Sequence, residues 1–428
     1  MSQLDLIRET INSIDAQMAQ LFQKRMEMSA QAAAFKKDRG LPIRDEARER
    51  ALIERSRGYI ADPVVGGYYE QLLHSVLALS RAYQSRLLNG AKAAYSGAES
   101  DCGYPILLAP GTLAHAGEHL SLDRRVLLVT DSGVPEEYVQ AVARSCRQAH
   151  ICTLPAGERS KSFDNYQLLL REMLRLGMDR GDCVAAVGGG MVGDLAGFAA
   201  ATYMRGIDFY NVPTTLLAQV DASIGGKTAI DMDGVKNPVG AFHQPRAVLI
   251  DTDTLRSLPR RQIAAGLAES VKMATTCDAA LFALMESSAD LTGILPEIIA
   301  RSLRIKADIV ARDPTEQGLR RVLNFGHTIG HAIESCANGT LLHGECVALG
   351  MLPMCAPALR PRLAAILRKC GLPVTGAYTA GQLLPYLRHD KKAASGSVTV
   401  VLVDKPGAFR MEQETPEDIL RRWEEMDV

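Results

Sequence analysis

Residues 187–194 read Val-Gly-Gly-Gly-Met-Val-Gly-Asp, and this stretch decides the fold of most of the chain. It follows an apolar run, Cys183–Val187, and opens an alanine-rich segment with helical spacing. A strand, a glycine turn and a helix in this order form a phosphate cradle, because glycine lets the backbone approach a pyrophosphate and the helix N-terminus presents free N–H groups. Ordinary tight turns share the G-x-G-x-x-G spacing, so the strand–turn–helix context carries the prediction of a nucleotide site. The turn residues are Gly188, Gly189, Gly190, Gly193 and Asp194.

Composition excludes several classes of protein. The 428 residues are enough for two or three domains with buried cores. The 48 basic and 49 acidic residues nearly balance, which argues against nucleic acid or an anionic membrane as a partner. Nine cysteines without a C-x-x-C pair indicate reduced thiols and a cytoplasmic protein. We expect neither a signal peptide nor a membrane span.

The N-terminal segment is predicted to be helical. Residues 4–38 contain no proline or glycine, and their apolar residues recur at helical spacing. A second helix is expected from Asp45 to about Arg57 and a third from about Val64 to Leu88. Three such helices cannot enclose a core alone, so the pattern predicts an intertwined homodimer.

The remaining chain alternates short apolar strands with helical patterns, which indicates a parallel α/β sheet followed by a mainly helical part. We predict a helical domain at 1–88, a linker at 89–101, an α/β domain at 102–253 and a mainly helical domain at 254–428. The predicted strands are Ile106–Ala109, Arg125–Asp131, Val184–Val187, Asp208–Val212 and Ala247–Asp251, with a late β segment at Val398–Val403.

Six motifs downstream of the glycine turn resemble the 3-dehydroquinate synthase family over about residues 102–428. They are Thr202–Gly206, Pro213–Thr228, Val235–Pro245, Ala265–Lys272, Leu323–Glu334 and Leu342–Glu345. The resemblance implies conversion of 3-deoxy-D-arabino-heptulosonate 7-phosphate to 3-dehydroquinate, with NAD as a catalytic cofactor and zinc, or cobalt as an alternative, as the metal. It also implies an α/β nucleotide-binding domain joined to a helical metal- and substrate-binding domain.

The metal ligands can be interpreted in two ways. Spacing favours His327 with His331, because histidines at i and i+4 on a helix often share one metal. The resemblance instead implies Glu269, His327 and His343, with His331 turned toward the substrate phosphate. Two imidazoles and a carboxylate are a donor set suited to zinc with an open coordination position.

The resemblance also assigns the other polar residues of this segment. It places Lys227, Asn237, His331 and Arg205, the last from the neighbouring subunit, at the phosphate, and Arg320, Lys306, Asn324 and Lys272 at the carboxylate and ring hydroxyls. Lys391 or Lys392 would close the site. Cofactor residues besides the glycine turn are Asp131, Glu158, Lys161, Thr214, Thr215, Asp221, Lys227, Lys236, Ser257 and Gln262. Three residues depart from the family pattern, Gly133, Ser257 and Gln262, where asparagine, threonine and glutamate are usual.

The first 88 residues resemble the all-helical chorismate mutase family at seven polar positions: Arg8, Arg25, Lys36, Arg48, Glu49, Ser80 and Gln84. Arg25 and Lys36 lie eleven residues apart, almost three turns, and therefore share one side of the first helix. The resemblance implies that Arg8, from the partner chain, and the other two arginines bind the two carboxylates of chorismate. It implies that Lys36 and Gln84 donate to the ether oxygen, and that Glu49 and Ser80 hold a hydroxyl and a carboxylate edge.

Two alternatives to a synthase fused to a mutase stay open. In the first, the helical segment is a dimerisation or regulatory module without activity. In the second, the larger segment is another sugar-phosphate cyclase or a zinc polyol dehydrogenase on the same fold. Arg320, Asn237 and Lys227 favour a substrate with both a carboxylate and a phosphate, and thus the synthase.

Overall fold

The computed structural model describes residues 3–39, 46–89, 96–97, 102–389 and 396–426. The chain divides into two compact units, Met1–Ala98 and Glu99–Val428. The division falls within the segment predicted as a linker. None of the described helices is long and apolar enough to cross a membrane.

The first unit consists of three helices, α1 (Gln3–Asp38), α2 (Glu46–Ser56) and α3 (Pro63–Asn89), followed by the short strand β1 (Ser96–Gly97). α1 and α2 both pack against α3. The helices begin and end within two residues of the predicted limits, because proline and glycine punctuate the sequence where the helices stop.

The interior of this unit is small and largely polar. Among its described side chains, the buried ones are Ser29, Ala33, Ser56, Leu77, Ser80 and Gln84. One side of α1 instead exposes a continuous apolar stripe, with side chains that are 38 to 65% accessible. This α1 stripe comprises Ile7, Ile11, Ile14, Met18, Leu21, Phe22, Met28 and Phe35.

The second unit is built on a parallel sheet with both faces covered. Its strands are ordered β2-β9-β6-β5-β3-β4, and all the pairs are parallel. Apolar side chains of the central strand β5 point into two separate hydrophobic clusters, one on each face of the sheet. The strands are β2 (Ile106–Leu108), β3 (Arg125–Asp131), β4 (Gln148–Leu154), β5 (Cys183–Gly188), β6 (Asp208–Pro213) and β9 (Ala247–Ile250), and the accompanying helices are α4 (Ala116–His119), α5 (Glu136–Ala143), α6 (Phe163–Arg175) and α7 (Gly190–Thr202).

Four strands of the second unit, β4 and three strands in two hairpins, were missed by the sequence analysis. β4 lies at the edge of the sheet and alternates polar and apolar residues irregularly. An antiparallel hairpin, β7 (Lys227–Met232) with β8 (Val235–Phe242), lies inside the motif region. The late β segment, β10 (Val398–Lys405), is also half of a hairpin with β11 (Ala408–Glu414). β8 and β11 are largely exposed, so they lack the apolar run that predicted the central strands.

The part after the sheet is mainly helical, as predicted. Helix α8 runs through its centre, and thirteen of its residues are buried. The helices are α8 (Arg260–Cys277), α9 (Ala279–Ser287), α10 (Leu295–Arg312), α11 (His327–Ala337), α12 (His343–Met351), α13 (Arg360–Lys369), α14 (Ala380–His389) and α15 (Pro416–Glu424).

Candidate functional site

Glu269, His327 and His343 converge from three helices. Glu269 lies within α8, and the two histidines are the first residues of α11 and α12. Glu269 Oε1 lies 3.8 Å from His327 Nε2 and 3.7 Å from His343 Nε2. Within the described chain this buried oxygen accepts no hydrogen bond, whereas Oε2 pairs with Lys272. Ligands about 2.0–2.2 Å from one zinc ion lie about 3–4 Å apart, so the three groups fit a metal.

A glycine brings the helix that carries His343 onto α8. A Cβ added to Gly344 would lie 2.0 Å from the backbone oxygen of Ala265. The two helices can therefore approach this closely only if residue 344 has no side chain. Ala265 lies one turn before Glu269, so the contact places His343 beside the carboxylate.

Hydrogen bonds at the far side of each imidazole set its tautomer. His327 Nδ1 lies 3.2 Å from the oxygen of Phe325, and His343 Nδ1 lies 3.1 Å from Glu334 Oε2. A carbonyl and an ionised carboxylate only accept, so each Nδ1 carries the proton and each Nε2 turns a lone pair toward Glu269. Burial holds the pKa of His327 well below its ordinary value. Burial also lowers the pKa of His343, but Glu334 outweighs it and the pKa is raised, so a metal competes with a proton for this Nε2.

His331 lies beside the same group. Ligand atoms of His327, His331 and His343 are all within 4.8 Å of one another. His331 is exposed, whereas Glu269 is fully buried and brings a negative charge that offsets a dication. Glu269 is therefore the better third ligand, which leaves His331 accessible to substrate. The ligand set stays a prediction.

Three buried cations surround Asp221, which lies in the turn Ala218–Ala222. Lys306 of α10 pairs with Asp221 Oδ1, and Lys272 Nζ lies 3.9 Å from Oδ2. Arg320 is 2% exposed and donates to two backbone carbonyls at 2.6 and 3.3 Å. Burial raises the pKa of Asp221, but Lys306, Lys272 and Arg320 outweigh it and lower the pKa. This group of cations favours an anionic ligand.

Lys227 and Asn324 meet through a residue that the sequence analysis did not single out. Asn324 Nδ2 donates to Glu316 Oε1 at 2.8 Å, and Lys227 pairs with Glu316 Oε2. Glu316 lies in the loop between α10 and α11 with a φ of 60°, a conformation that costs energy for a residue with a side chain. An acid in a loop follows no spacing rule, so only the fold could reveal it.

Lys161 connects predicted cofactor and substrate residues. Its side chain is 4% exposed, its ammonium group contacts both Asp194 Oδ2 and Asn237 Oδ1, and Glu158 Oε1 lies 3.9 Å away. Burial raises the pKa of Asp194 to about 6, even though Lys161 opposes the rise. The beginning of α7 and the beginning of β8 therefore meet at one buried lysine.

Two glycines of the turn lie close to neighbouring side chains. A Cβ added to Gly188 would lie 2.7 Å from Val192 Cγ2, and one added to Gly193 would lie 3.1 Å from Asn211 Oδ1. Close packing of the strand and helix is thus one reason for glycine at these two positions, and their role at a pyrophosphate stays a prediction. Gly189 and Gly190 are only partly buried and remain available to a pyrophosphate.

In the first unit, Ser80 connects α1 with Gln84 of α3. Ser80 Oγ lies 2.7 Å from Ser29 Oγ, and Gln84 Nε2 donates to Ser80 Oγ at 3.3 Å. Arg25 is partly buried, its Nη1 atom is buried and finds no acceptor among the described residues, and burial lowers the pKa of Arg25. A guanidinium with an unused buried donor is suited to a carboxylate ligand.

Arg8 cannot reach this group within one chain. It lies 17 residues before Arg25 on a continuous helix, which corresponds to ~25 Å along the axis. Its side chain is exposed and lies 3.9 Å from Asp5. Lys36 lies on the same side of α1 as Arg25, and Arg48 and Glu49 lie on α2.

Comparison with known proteins identifies the family of the second unit. Residues 151–265 match the model described as 3-dehydroquinate synthase N-terminal, and residues 266–393 match the C-terminal model. A 3-dehydroquinate synthase from Symbiobacterium thermophilum is 45% identical over 343 residues, which cover 74% of this chain and 96% of the relative. The chain belongs to the 3-dehydroquinate synthase family. Residues 7–85 match chorismate mutase type II, so the chain is a fusion of the two.

Two solved structures are similar to the second unit, which is called the synthase unit below. A 2-deoxy-scyllo-inosose synthase, solved with carbaglucose-6-phosphate, NAD⁺ and Co²⁺, has a TM-score of 0.69 at 25% identity and covers 76% of this chain and 97% of its own. A 2-epi-5-epi-valiolone synthase from Streptomyces hygroscopicus, solved with NAD⁺ and Zn²⁺, has a TM-score of 0.68 at 28% identity and covers 74% and 95%. Both share the fold of the second unit.

The remaining predicted residues of the synthase unit lie on several different elements. Asp131 ends β3 and accepts from the amide of Gly133 at 2.7 Å. Thr214 donates its amide to Gly188 at 2.9 Å, and Thr215 Oγ1 accepts from the amide of Ala218 at 3.3 Å. Lys236 pairs with Glu334, Ser257 accepts from Tyr138 at 2.9 Å, and Arg205 and Gln262 are exposed. Lys391 and Lys392 lie outside the described residues.

Proposed function

We propose that the second unit converts 3-deoxy-D-arabino-heptulosonate 7-phosphate into 3-dehydroquinate and phosphate. The observation that carries this proposal is the buried Glu269 carboxylate facing two imidazole lone pairs, one helical turn from Lys272 and its partner Asp221. When bound, zinc polarises a substrate hydroxyl while NAD accepts and returns a hydride. Glu269, His327 and His343 would hold zinc, and cobalt is an alternative because the inosose synthase carries it.

The cations of the unit bind and orient the two anionic ends of the substrate. Arg320, Lys306 and Lys272 are buried, so their attraction for a carboxylate is only weakly screened by water. Lys227, Asn237 and His331 serve the phosphate end, where positive charge stabilises the departing phosphate. Arg205 lies on a segment with two consecutive positive φ angles, 51° at Met204 and 67° at Arg205, and completes the phosphate site of a neighbouring subunit.

A pair of substrates separates this proposal from the other cyclases. The purified chain is given NAD, zinc and either the heptulosonate phosphate or a hexose 6-phosphate, and phosphate release is measured. We expect turnover of the heptulosonate phosphate only, because a hexose 6-phosphate has no carboxylate and leaves the buried Arg320 without that partner. Turnover of the hexose phosphate in preference to the acid would assign the chain to another cyclase.

The first unit is proposed to rearrange chorismate to prephenate. The reaction needs no nucleophile, so the protein must hold the reactive conformer and stabilise charge at the breaking ether bond. The supporting observations are the unused buried donor Arg25 Nη1 and the buried hydrogen bond from Gln84 to Ser80. Arg25 and Arg48 bind carboxylates, Lys36 and Gln84 donate to the ether oxygen, and Glu49 and Ser80 hold the remaining polar groups.

The mutase site is proposed to be shared between two chains. Arg8 is too far from Arg25 on its own helix, and the α1 stripe is apolar along the length of that helix. A second copy that packs on this stripe would bury it and bring its Arg8 to the site. Chorismate consumption by the purified chain tests the activity. The Arg25→Met variant should lose chorismate consumption and keep the synthase turnover of the wild type. Absence of mutase activity in the wild-type chain would leave the helical unit a dimerisation or regulatory module.

A further inference from the structure

Glu334 contacts one residue of the predicted metal site and one of the predicted cofactor site. Its Oε2 lies 3.1 Å from His343 Nδ1, and its Oε1 accepts from Lys236 Nζ at 2.6 Å. The side chain is 13% exposed and lies on α11, two turns after His327. No role was assigned to it from the sequence.

The carboxylate is oriented at both oxygens, because His343 Nδ1 and Lys236 Nζ each contact a different one of them. The strong pair with Lys236 leaves Oε2 directed at His343. This hydrogen bond stabilises the ring with Nδ1 protonated and Nε2 free for a metal.

We propose that Glu334 is a positioning residue that holds His343 in its metal-binding orientation, and that Lys236 of β8 holds Glu334 in turn. The chain Lys236–Glu334–His343 connects the hairpin that carries predicted cofactor residues to the predicted metal group. Metal affinity therefore depends on two residues that are not ligands. This inference rests on the proposed metal site and adds the residues that orient it.

Removal of this carboxylate has a direct chemical consequence. A glutamine at 334 has a neutral amide, which makes a weaker hydrogen bond to Nδ1 and can also turn its NH₂ group toward the ring. Outer-shell partners of this kind typically contribute about 10- to 100-fold to metal affinity. Lys236→Met keeps the carboxylate but frees it to rotate, so its effect should be smaller and in the same direction.

The experiment measures Co²⁺ binding to the metal-depleted full-length chain through the visible absorption of the bound ion and competition with a chelator. We expect Glu334→Gln to raise the Kd about 10- to 100-fold and Lys236→Met to raise it less. Glu286→Gln is the matched control, because this glutamate makes a comparable ion pair with Arg362 at 2.6 Å on α9, away from the site residues. Its Kd should equal that of the wild type.

Two further measurements separate this inference from the metal site itself. His343→Ala should weaken Co²⁺ binding more than Glu334→Gln does. If the wild type binds no stoichiometric Co²⁺, or His343→Ala binds it normally, the metal site is wrong. If the wild type binds and His343→Ala does not, but Glu334→Gln binds with wild-type Kd and an unchanged spectrum, the site stands and the role of Glu334 is overturned.

Discussion

The two units of this chain differ in how much polar and apolar side-chain surface they bury within one chain. The synthase unit covers both faces of a parallel sheet, and its interior holds Glu269, Lys272 and Arg320 within one chain. The first unit, called the mutase unit below, has three described α-helices. Few of its described side chains are fully buried, and the α1 stripe is exposed. A sheet with helices on both faces encloses a site, whereas a thin helical unit needs a second copy to do so.

The comparison predicts that damage to one unit leaves the other active. The largest expected effect is that of His343→Ala, which removes a predicted metal ligand. Synthase turnover should fall by more than about 100-fold, because loss of a ligand exceeds loss of an outer-shell partner. Metal content and both activities are measured on the same preparation. Chorismate turnover should be unchanged, and a parallel loss of both activities would contradict two independent sites.

Arg320→Met tests whether the buried cations of the synthase unit bind the substrate carboxylate. Truncation of a buried charged partner costs about 2–5 kcal/mol, so kcat/KM should fall by about 30- to 5000-fold. Arg362→Met is the control, because Arg362 is a surface arginine that pairs with Glu286 at 2.6 Å. A kcat/KM close to wild type for Arg320→Met would remove the argument for an acidic substrate.

Gln84→Glu tests the proposed ether-oxygen donor of the mutase unit through pH. Glutamine donates at any ordinary pH, whereas a carboxyl group donates only when protonated, and burial at this position raises the pKa of a glutamate. Activity of the variant should be present below that pKa and fall about tenfold per pH unit above it. The wild type should not show this decline of activity with rising pH. A flat profile for the variant, with activity near wild type, would exclude Gln84 as the donor.

Mixed dimers test whether the mutase site is shared. Arg8→Ala and Lys36→Ala chains should each be inactive alone. After random exchange about half of the dimers are hybrids, and one of the two sites in each hybrid is intact, so about a quarter of wild-type activity should return. Exchange is verified with differently tagged chains. No recovery after verified exchange would contradict a site shared between two chains.

Much of the fold could be predicted because the signals are local. Helix α1 lacks proline and glycine, and the central strands are continuous apolar runs between turns. The exposed strands β4, β8 and β11 gave no such run, and their pairing depends on neighbours distant in sequence. The hairpin β7–β8 was therefore missed even though its residues were quoted as a motif.

The candidate site, like the fold, could be predicted from the sequence only in part. Residue types and motifs were enough to propose Glu269, His327 and His343, but spacing alone also allowed His331. Glu316 and Glu334 were missed, because an acid becomes part of a site only when folding places cations or imidazoles against it. The close packing of Gly188 against Val192 likewise became visible only in the folded chain.

The sequence by itself determined the helical and α/β parts and, through its motifs, the two families, and the resemblance supplied predicted residues for a metal, phosphate and carboxylates. Periodicity and motifs are local features of the chain, so they do not depend on distant contacts. Only the tertiary structure decided which nitrogen of His327 and His343 faces Glu269, and that Glu334 joins His343 to Lys236. Those relations are distances between separate elements, and packing alone sets them.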